Sequence, residues 1–247
     1  MVEMALRADL EIQLPDEAGF CMIAELLRHR YDIQPPEPSG CLLDELVATI
    51  LSQHTSDRNS QRAFRQLKQR YPQWSAALAA GTGAIADAIR MGGLAEQKAP
   101  RIIELLRAVP VDAAGEPSLD HLAALPPVQV YEALQHYGGV GPKTAACALL
   151  FAYAWPLFPV DTHVQRVSIR LGWARPGETA DRIQARLMRH VPPDATYDLH
   201  MGMVRHGRAT CTARAPRCGD CALAAMCPTA GAPALSNEVP AQAVEGS

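Results

Sequence analysis

Two helix starts set 18 residues apart constrain this chain more than any other feature. The first reads Gly139-Val140-Gly141-Pro142-Lys143-Thr144-Ala145 and the second Val160-Asp161-Thr162-His163. Gly139 and Gly141 lack a Cβ, so the turn can take backbone angles barred to other residues and let a ligand approach its amides. Pro142 suits the first position of a helix, where its missing N–H costs nothing. Lys143 then falls in the first turn of an apolar helix running from Thr144 to about Tyr153. There it sits at the positive end of the helix dipole, a setting suited to a nucleophilic amine. Trp155-Pro156 and Pro159 break that helix. Asp161 is placed to cap the next one, whose Val164, Val167 and Leu171 recur at helical spacing. The chain therefore doubles back between one lysine and one carboxylate.

Cysteine usage is the second constraint. Of the seven cysteines, Cys211, Cys218, Cys221 and Cys227 follow the spacing Cys-x6-Cys-x2-Cys-x5-Cys within 17 residues. An odd total without a secretion signal argues against a disulfide framework. Four thiolates on one short loop are soft ligands suited to a [4Fe-4S] cluster or a zinc ion. Zinc ribbons usually carry two distant Cys-x2-Cys pairs, and only one short pair exists here, so iron and sulfur are favoured. Arg214 and Arg217 beside this loop are placed either to reach a polyanion or to offset a cluster's negative charge. Cys21, Cys41 and Cys147 are expected in the core.

The rest of the chain reads as helical. Pro15-Asp16 opens a helix of about 15 residues with Phe20, Ile23, Leu26 and Leu27 as its apolar stripe, and residues 1–14 before it read as an irregular start. Pro35 to Gly40 forms a stiff connector. Cys41 to about His54 is apolar on nearly all faces and predicts a buried helix, ending in the polar run Ser52-Gln53-His54-Thr55-Ser56-Asp57. Further helices are expected over Arg58 to Arg70, over Trp74 to Ala80 and Thr82 to Met91 with Gly81 between, after the Gly92-Gly93-Leu94 loop, and over Val128 to Tyr137. Three more follow Asp161, over Val164 to Leu171, Thr179 to His190 and Tyr197 to Gly207. β-Branched and aromatic residues are scarce and alanine abounds, so the fold class is all-α, and residues 229–247 read as a disordered tail.

Composition sets the remaining limits. No apolar run approaches the roughly 20 residues that span a bilayer, and Met1-Val2-Glu3-Met4 begins no signal peptide, so a soluble cytoplasmic monomer with no membrane partner is expected. A net charge of −3 is not that of a chain that grips nucleic acid over its whole surface. Its distribution is uneven, however: between Asp161 and Cys227 ten arginines face six acidic residues, enough for a locally basic face.

Taken together, the two helix starts and the cysteine loop resemble the endonuclease III family of DNA glycosylases. The Gly-Val-Gly-x-Lys turn with its paired Val-Asp-Thr-His looks like that family's helix-hairpin-helix, and His206-Gly207-Arg208-Ala209-Thr210-Cys211 is similar to the run that opens its cluster loop. The resemblance implies a catalytic lysine at Lys143, a catalytic aspartate at Asp161 and a [4Fe-4S] cluster on Cys211, Cys218, Cys221 and Cys227. It also implies duplex DNA with damaged bases or abasic sites as the partner, near the nucleoid. Contacts to that DNA are implied for Gly139, Val140, Gly141, Thr144 and His163, for Leu94 as a wedge in the duplex, and for Gln53 or His54 in the gap left by a flipped base. Two positions depart from the family pattern. His54 stands where the family commonly has glutamine, and Ala95 replaces its tyrosine, which points to an altered lesion preference.

The implied fold has two helical lobes with a DNA-binding cleft between them. A six-helix barrel occupies 41–155, with the hairpin at about 128–153, and a cluster lobe combines 15–40 with 156–228. The implied activity is base-excision repair: removal of damaged, oxidised pyrimidines, then β-elimination through a lysine Schiff base. Two alternatives stand beside it, a base-only glycosylase and a non-catalytic cluster-bearing DNA-binding protein.

Overall fold

The computed structural model describes residues 12–230, and ten α-helices run through them in chain order. They are α1 (Glu17–Tyr31), α2 (Leu42–Ser52), α3 (Asp57–Arg70), α4 (Trp74–Ile89), α5 (Ala95–Ala108), α6 (Pro127–Leu134), α7 (Pro142–Tyr153), α8 (Thr162–Arg170), α9 (Ala180–His190) and α10 (Thr196–Ala209). Among the described residues the only β pairing is an isolated bridge between Val111 and Pro117. The all-α expectation is met. Residues 1–11 and 231–247, which hold most of the irregular start and of the tail expected from sequence, lie outside the described residues.

Helix boundaries follow local chemistry. Asp16, Ser56 and Thr179 each accept a backbone N–H in the first turn of the helix they precede, namely from Gly19, Asn59 and Arg182. Pro127 and Pro142 stand at first helical positions. Gly81, at φ 79° and ψ 176°, kinks α4 where sequence separates two short helices. The first hairpin helix, expected to reach Tyr137, stops at Leu134, because Gln135 to Tyr137 bond only three residues back as the chain tightens toward Gly138 and Gly139.

The buried residues form two groups. One gathers α2 to α7, with Leu42, Leu46, Ile50, Leu67, Ile85, Ile102 and Leu149 at its centre. The other joins α1 to the segments after Leu157, through Phe20, Leu27, Phe158, Val164, Leu187, Leu199, Met203 and Leu223. Each large apolar side chain removed from water contributes roughly 1.5–3 kcal/mol, so these two groups are the main force that draws the helices together. Helix α1 meets α10 closely at one point: a Cβ on Gly202 would come within 2.5 Å of Leu27 Cβ, so only glycine lets the two backbones approach.

Two sequence expectations need correction. Leu26 is 39% exposed, so the stripe of α1 is Phe20, Ile23, Ala24 and Leu27, the positions that a 3.6-residue period aligns. Cys21 is exposed rather than core, since it lies one residue past Phe20 and hence about 100° round the helix. Cys41 is half-buried and Cys147 is buried.

Candidate active site and cysteine loop

The hairpin turn forms as the glycines require. Gly139 takes φ 80°, in the left-handed region, and Gly141 caps α7 in an extended conformation. A Cβ at either would meet no atom within 4 Å, so space does not demand glycine at these positions; at Gly139 the backbone angle does. Gly139 and Gly141 are exposed, Val140 is buried in the first core and Thr144 is buried in the first turn of α7. Lys143 is the second residue of α7 and is half-buried.

Asp161 caps α8 as the sequence predicts. Its Oδ1 accepts from His163 N at 2.9 Å and from Val164 N at 2.8 Å. Both bonds fall on the same oxygen, so Oδ2 takes none of the helix's N–H groups. Lys143 and Asp161 share a neighbourhood: the charges of both act on Cys147, one turn along α7, and on His200 of α10. Both residues are half-buried.

His200 lies behind that pair. It is 4% exposed, its Nδ1 bonds Pro159 O at 3.0 Å, and its ring stands edge-on to Phe151 and Phe158. A carbonyl acceptor fixes the proton on Nδ1. Burial pushes the ring's pKa down to about 4, with the nearby Asp161 carboxylate opposing the fall, so His200 is neutral at pH 7. Through Pro159 it braces the segment that carries Asp161. His163, whose pKa burial also lowers, is half-buried and shares a 3.1 Å contact with Arg166 Nη2.

Two further segments expose polar or apolar groups on left-handed backbone. His54 has φ 53° and is exposed, after Gln53, whose Oε1 accepts from Arg101 Nη1 at 3.3 Å. Leu94 has φ 52° and is 44% exposed, next to Gly93 at φ 70°. A leucine held out of the core in a disfavoured conformation is unusual, and the surroundings must maintain it.

The cysteine loop is fastened to α8 by two arginines one turn apart, which sequence reasoning passed over in favour of Arg214 and Arg217. Arg166 donates to Cys211 O at 2.9 Å and Gly207 O at 2.8 Å. Arg170, only 8% exposed, donates to Cys211 Sγ at 3.1 Å, Thr212 O at 2.7 Å and Ala213 O at 3.0 Å. The repeat of arginine at four-residue spacing in α8 was the available signal. Arg214 is exposed, and Arg217 donates to Ala209 O.

All four loop cysteines are half-buried, and the charges of Cys211, Cys218 and Cys227 act on Cys221. Three of them, Cys211, Cys221 and Cys227, pack against the second core. Among the described residues no three His, Cys, Asp or Glu side chains converge as on a single metal ion. A four-thiol set with a buried guanidinium on one sulfur fits an anionic cluster.

Comparison with known proteins is consistent with this geometry. Residues 47–193 match the model of the HhH-GPD superfamily base excision DNA repair protein. Endonuclease III of Escherichia coli K12 is 34% identical over 182 residues, 74% of this chain and 81% of that protein. An Arabidopsis thaliana protein described as a DNA glycosylase is 39% identical over 167 residues, 68% of this chain; the chain spans 57% of that relative's length. Among solved structures, a non-covalent endonuclease III–DNA complex superposes with a TM-score of 0.70 at 26% identity, covering 87% of this chain and 96% of that one. A trapped covalent endonuclease III–DNA intermediate gives the same TM-score and identity, with 87% and 97% covered.

Proposed function

Because this chain belongs to the HhH-GPD superfamily of base excision DNA repair proteins, we propose that it excises oxidised pyrimidines from duplex DNA and then cuts the abasic site through Lys143. The observation that carries this reading is that Lys143, at the start of α7, and Asp161, the cap of α8, both lie near enough to the buried His200 for their charges to act on it. Likeness to the endonuclease III–DNA complexes supports DNA as the partner.

A base stacked in the duplex is out of reach of both residues, so it must be flipped out, and a damaged pyrimidine that stacks poorly is the least costly to extrude. Leu94 enters the stack from the exposed turn, while Gln53 or His54 occupies the space the base leaves. Amides of the Gly139–Gly141 turn and the N-terminus of α7 hold a backbone phosphate without reading sequence, as Val140 and Thr144 anchor the turn in the core.

The neutral amine of Lys143 attacks the sugar carbon bearing the base. The N–C bond forms as the glycosidic bond breaks, and the base leaves with the electron pair and takes up a proton. Positive charge developing on the sugar lies opposite the Asp161 carboxylate, which also accepts the proton that the lysine nitrogen sheds. Opening of the sugar ring, whose oxygen leaves with the electron pair and takes up the proton held by Asp161, gives a protonated Schiff base. Loss of the adjacent sugar proton expels the 3′ phosphate, and water then releases Lys143. His163, beside Arg166 at the start of α8, adds a polar group at the rim facing the backbone.

Cys211, Cys218, Cys221 and Cys227 would hold a [4Fe-4S] cluster. When bound it supplies four iron–thiolate bonds that close the loop, at the end of which Arg170 offsets negative charge. The test of the cofactor is iron and acid-labile sulfide content after anaerobic purification. Both are expected in the wild type and lost in Cys218→Ser; stoichiometric zinc instead would overturn the assignment.

The activity is tested on duplexes carrying thymine glycol. Free base and a strand broken by β-elimination are expected. Base release with the abasic strand left intact would support a base-only glycosylase, and binding without either product a non-catalytic DNA-binding protein.

A further inference from the structure

Lys98 is a buried charge that the chemistry above leaves unused. It is 2% exposed, and it lies in the first turn of α5, where the helix dipole opposes a cation. Burial also lowers its pKa. A lysine so placed persists only if its donors are well satisfied. Nζ donates to Leu51 O at 2.8 Å and to Gly92 O at 2.9 Å.

Those two carbonyls belong to the two segments that leave the core on left-handed backbone. Leu51 is in the last turn of α2, just before Gln53 and His54, and Gly92 closes the short 3-10 turn just before Leu94. Both acceptors are main-chain oxygens, so the ammonium fixes the backbone itself rather than a side chain. One turn further along α5, Arg101 holds Gln53 from the same side. Gly92 is itself packed: a Cβ there would stand 3.0 Å from Ala63 Cβ. The helix that begins beside Leu94 thus also grips the Gln53–His54 turn.

We propose that Lys98 is a positioning residue that locks the Gln53–His54 turn to the Leu94 turn, so that both enter a duplex as one rigid probe. This rests on the DNA glycosylase reading above. Loss of the ammonium leaves two buried carbonyls without their donor, and the two turns then move independently.

The test compares wild type, Lys98→Met, which keeps length and bulk, and Lys98→Gln, which keeps one amide donor, after thermal melts show which variants are folded. Single-turnover base release is measured on a damaged duplex, and strand cutting on a single-stranded abasic oligonucleotide, which needs no wedge. Fluorescence of 2-aminopurine opposite a non-cleavable abasic analogue reports the unstacking directly. Lys98→Met is expected to lose about tenfold or more on the duplex and far less on the single strand, with Lys98→Gln between. In a Leu94→Ala background the same substitution is expected to cost little more, because its effect passes through Leu94. Parallel losses on both substrates, or losses that multiply in the double variant, would overturn the proposal. If the wild type cuts neither substrate, the activity reading fails. The 2-aminopurine comparison still decides the placement: wild-type unstacking that survives in the folded Lys98 variants refutes it.

Discussion

Arg208 of α10 and Asp57 of α3 form a two-pronged ion pair that joins the last turn of one helix to the first turn of the other. Nη1 donates to Oδ2, and Nη2 to Oδ1 at 3.1 Å. The pair connects a helix of the first core to a helix of the second, and Asp161 lies close enough to act on Arg208. It ties the start of α3, three residues past His54, to the end of the helix that leads into the cysteine loop.

Position across the two cores does not make the pair a strong one. Both side chains are substantially exposed, at 44% and 59%, so solvent and salt screen the attraction. Arg208→Ala and Asp57→Ala are each expected to lower stability by less than about 1 kcal/mol in urea denaturation. A loss several times larger in either variant would show that the pair holds the two cores together.

Asp161 allows capping and chemistry to be separated. Asparagine is as good a cap as aspartate, because its side-chain oxygen accepts the same N–H bonds, whereas alanine accepts none. Asp161→Asn should therefore keep near-wild-type stability, and Asp161→Ala should lose about 1 kcal/mol. Both should lose about a hundredfold or more in base release, since neither carries the negative charge. Full activity in Asp161→Asn would reduce the residue to a helix cap.

The buried His200 predicts an acid weakness. In the unfolded chain the ring takes up a proton near its ordinary value of 6.5, whereas in the folded protein it does so only near about 4. Between those values the unfolded state binds more protons, so stability falls as pH drops through this window and levels off below it. The loss attributable to this one group is on the order of 3 kcal/mol by about pH 4. His200→Gln, measured by urea denaturation at pH 7 and near pH 4, should show a shallower fall, although it starts from lower stability. An unchanged slope would place the acid sensitivity elsewhere.

What could be read from sequence was local. Helix starts at Asp16, Pro142 and Asp161 are set by residues within one turn, and the structure keeps all three. The Leu94 turn was legible for the same reason, with its glycines and leucine adjacent in the chain. The stripe of α1 failed at Leu26 and Cys21 because one helical step decides which face a residue takes. Lys98 was hidden for a different reason: its place on the apolar stripe with Ile102 and Leu105 follows helical spacing, but its acceptor Leu51 lies 47 residues away. The hold of Arg170 on Cys211, over 41 residues, and of His200 on Pro159, also over 41, likewise depend on how helices meet.

The central claim is that Lys143 forms a covalent bond with the sugar, and borohydride trapping tests it most directly. Purified protein is mixed with a duplex carrying an abasic site or thymine glycol, and borohydride is added to reduce any Schiff base to a stable amine. The account predicts a protein–DNA adduct on both duplexes with wild type and none with Lys143→Ala, although the variant still binds the DNA. An adduct that survives in Lys143→Ala, or base release by the wild type without any adduct, would contradict it.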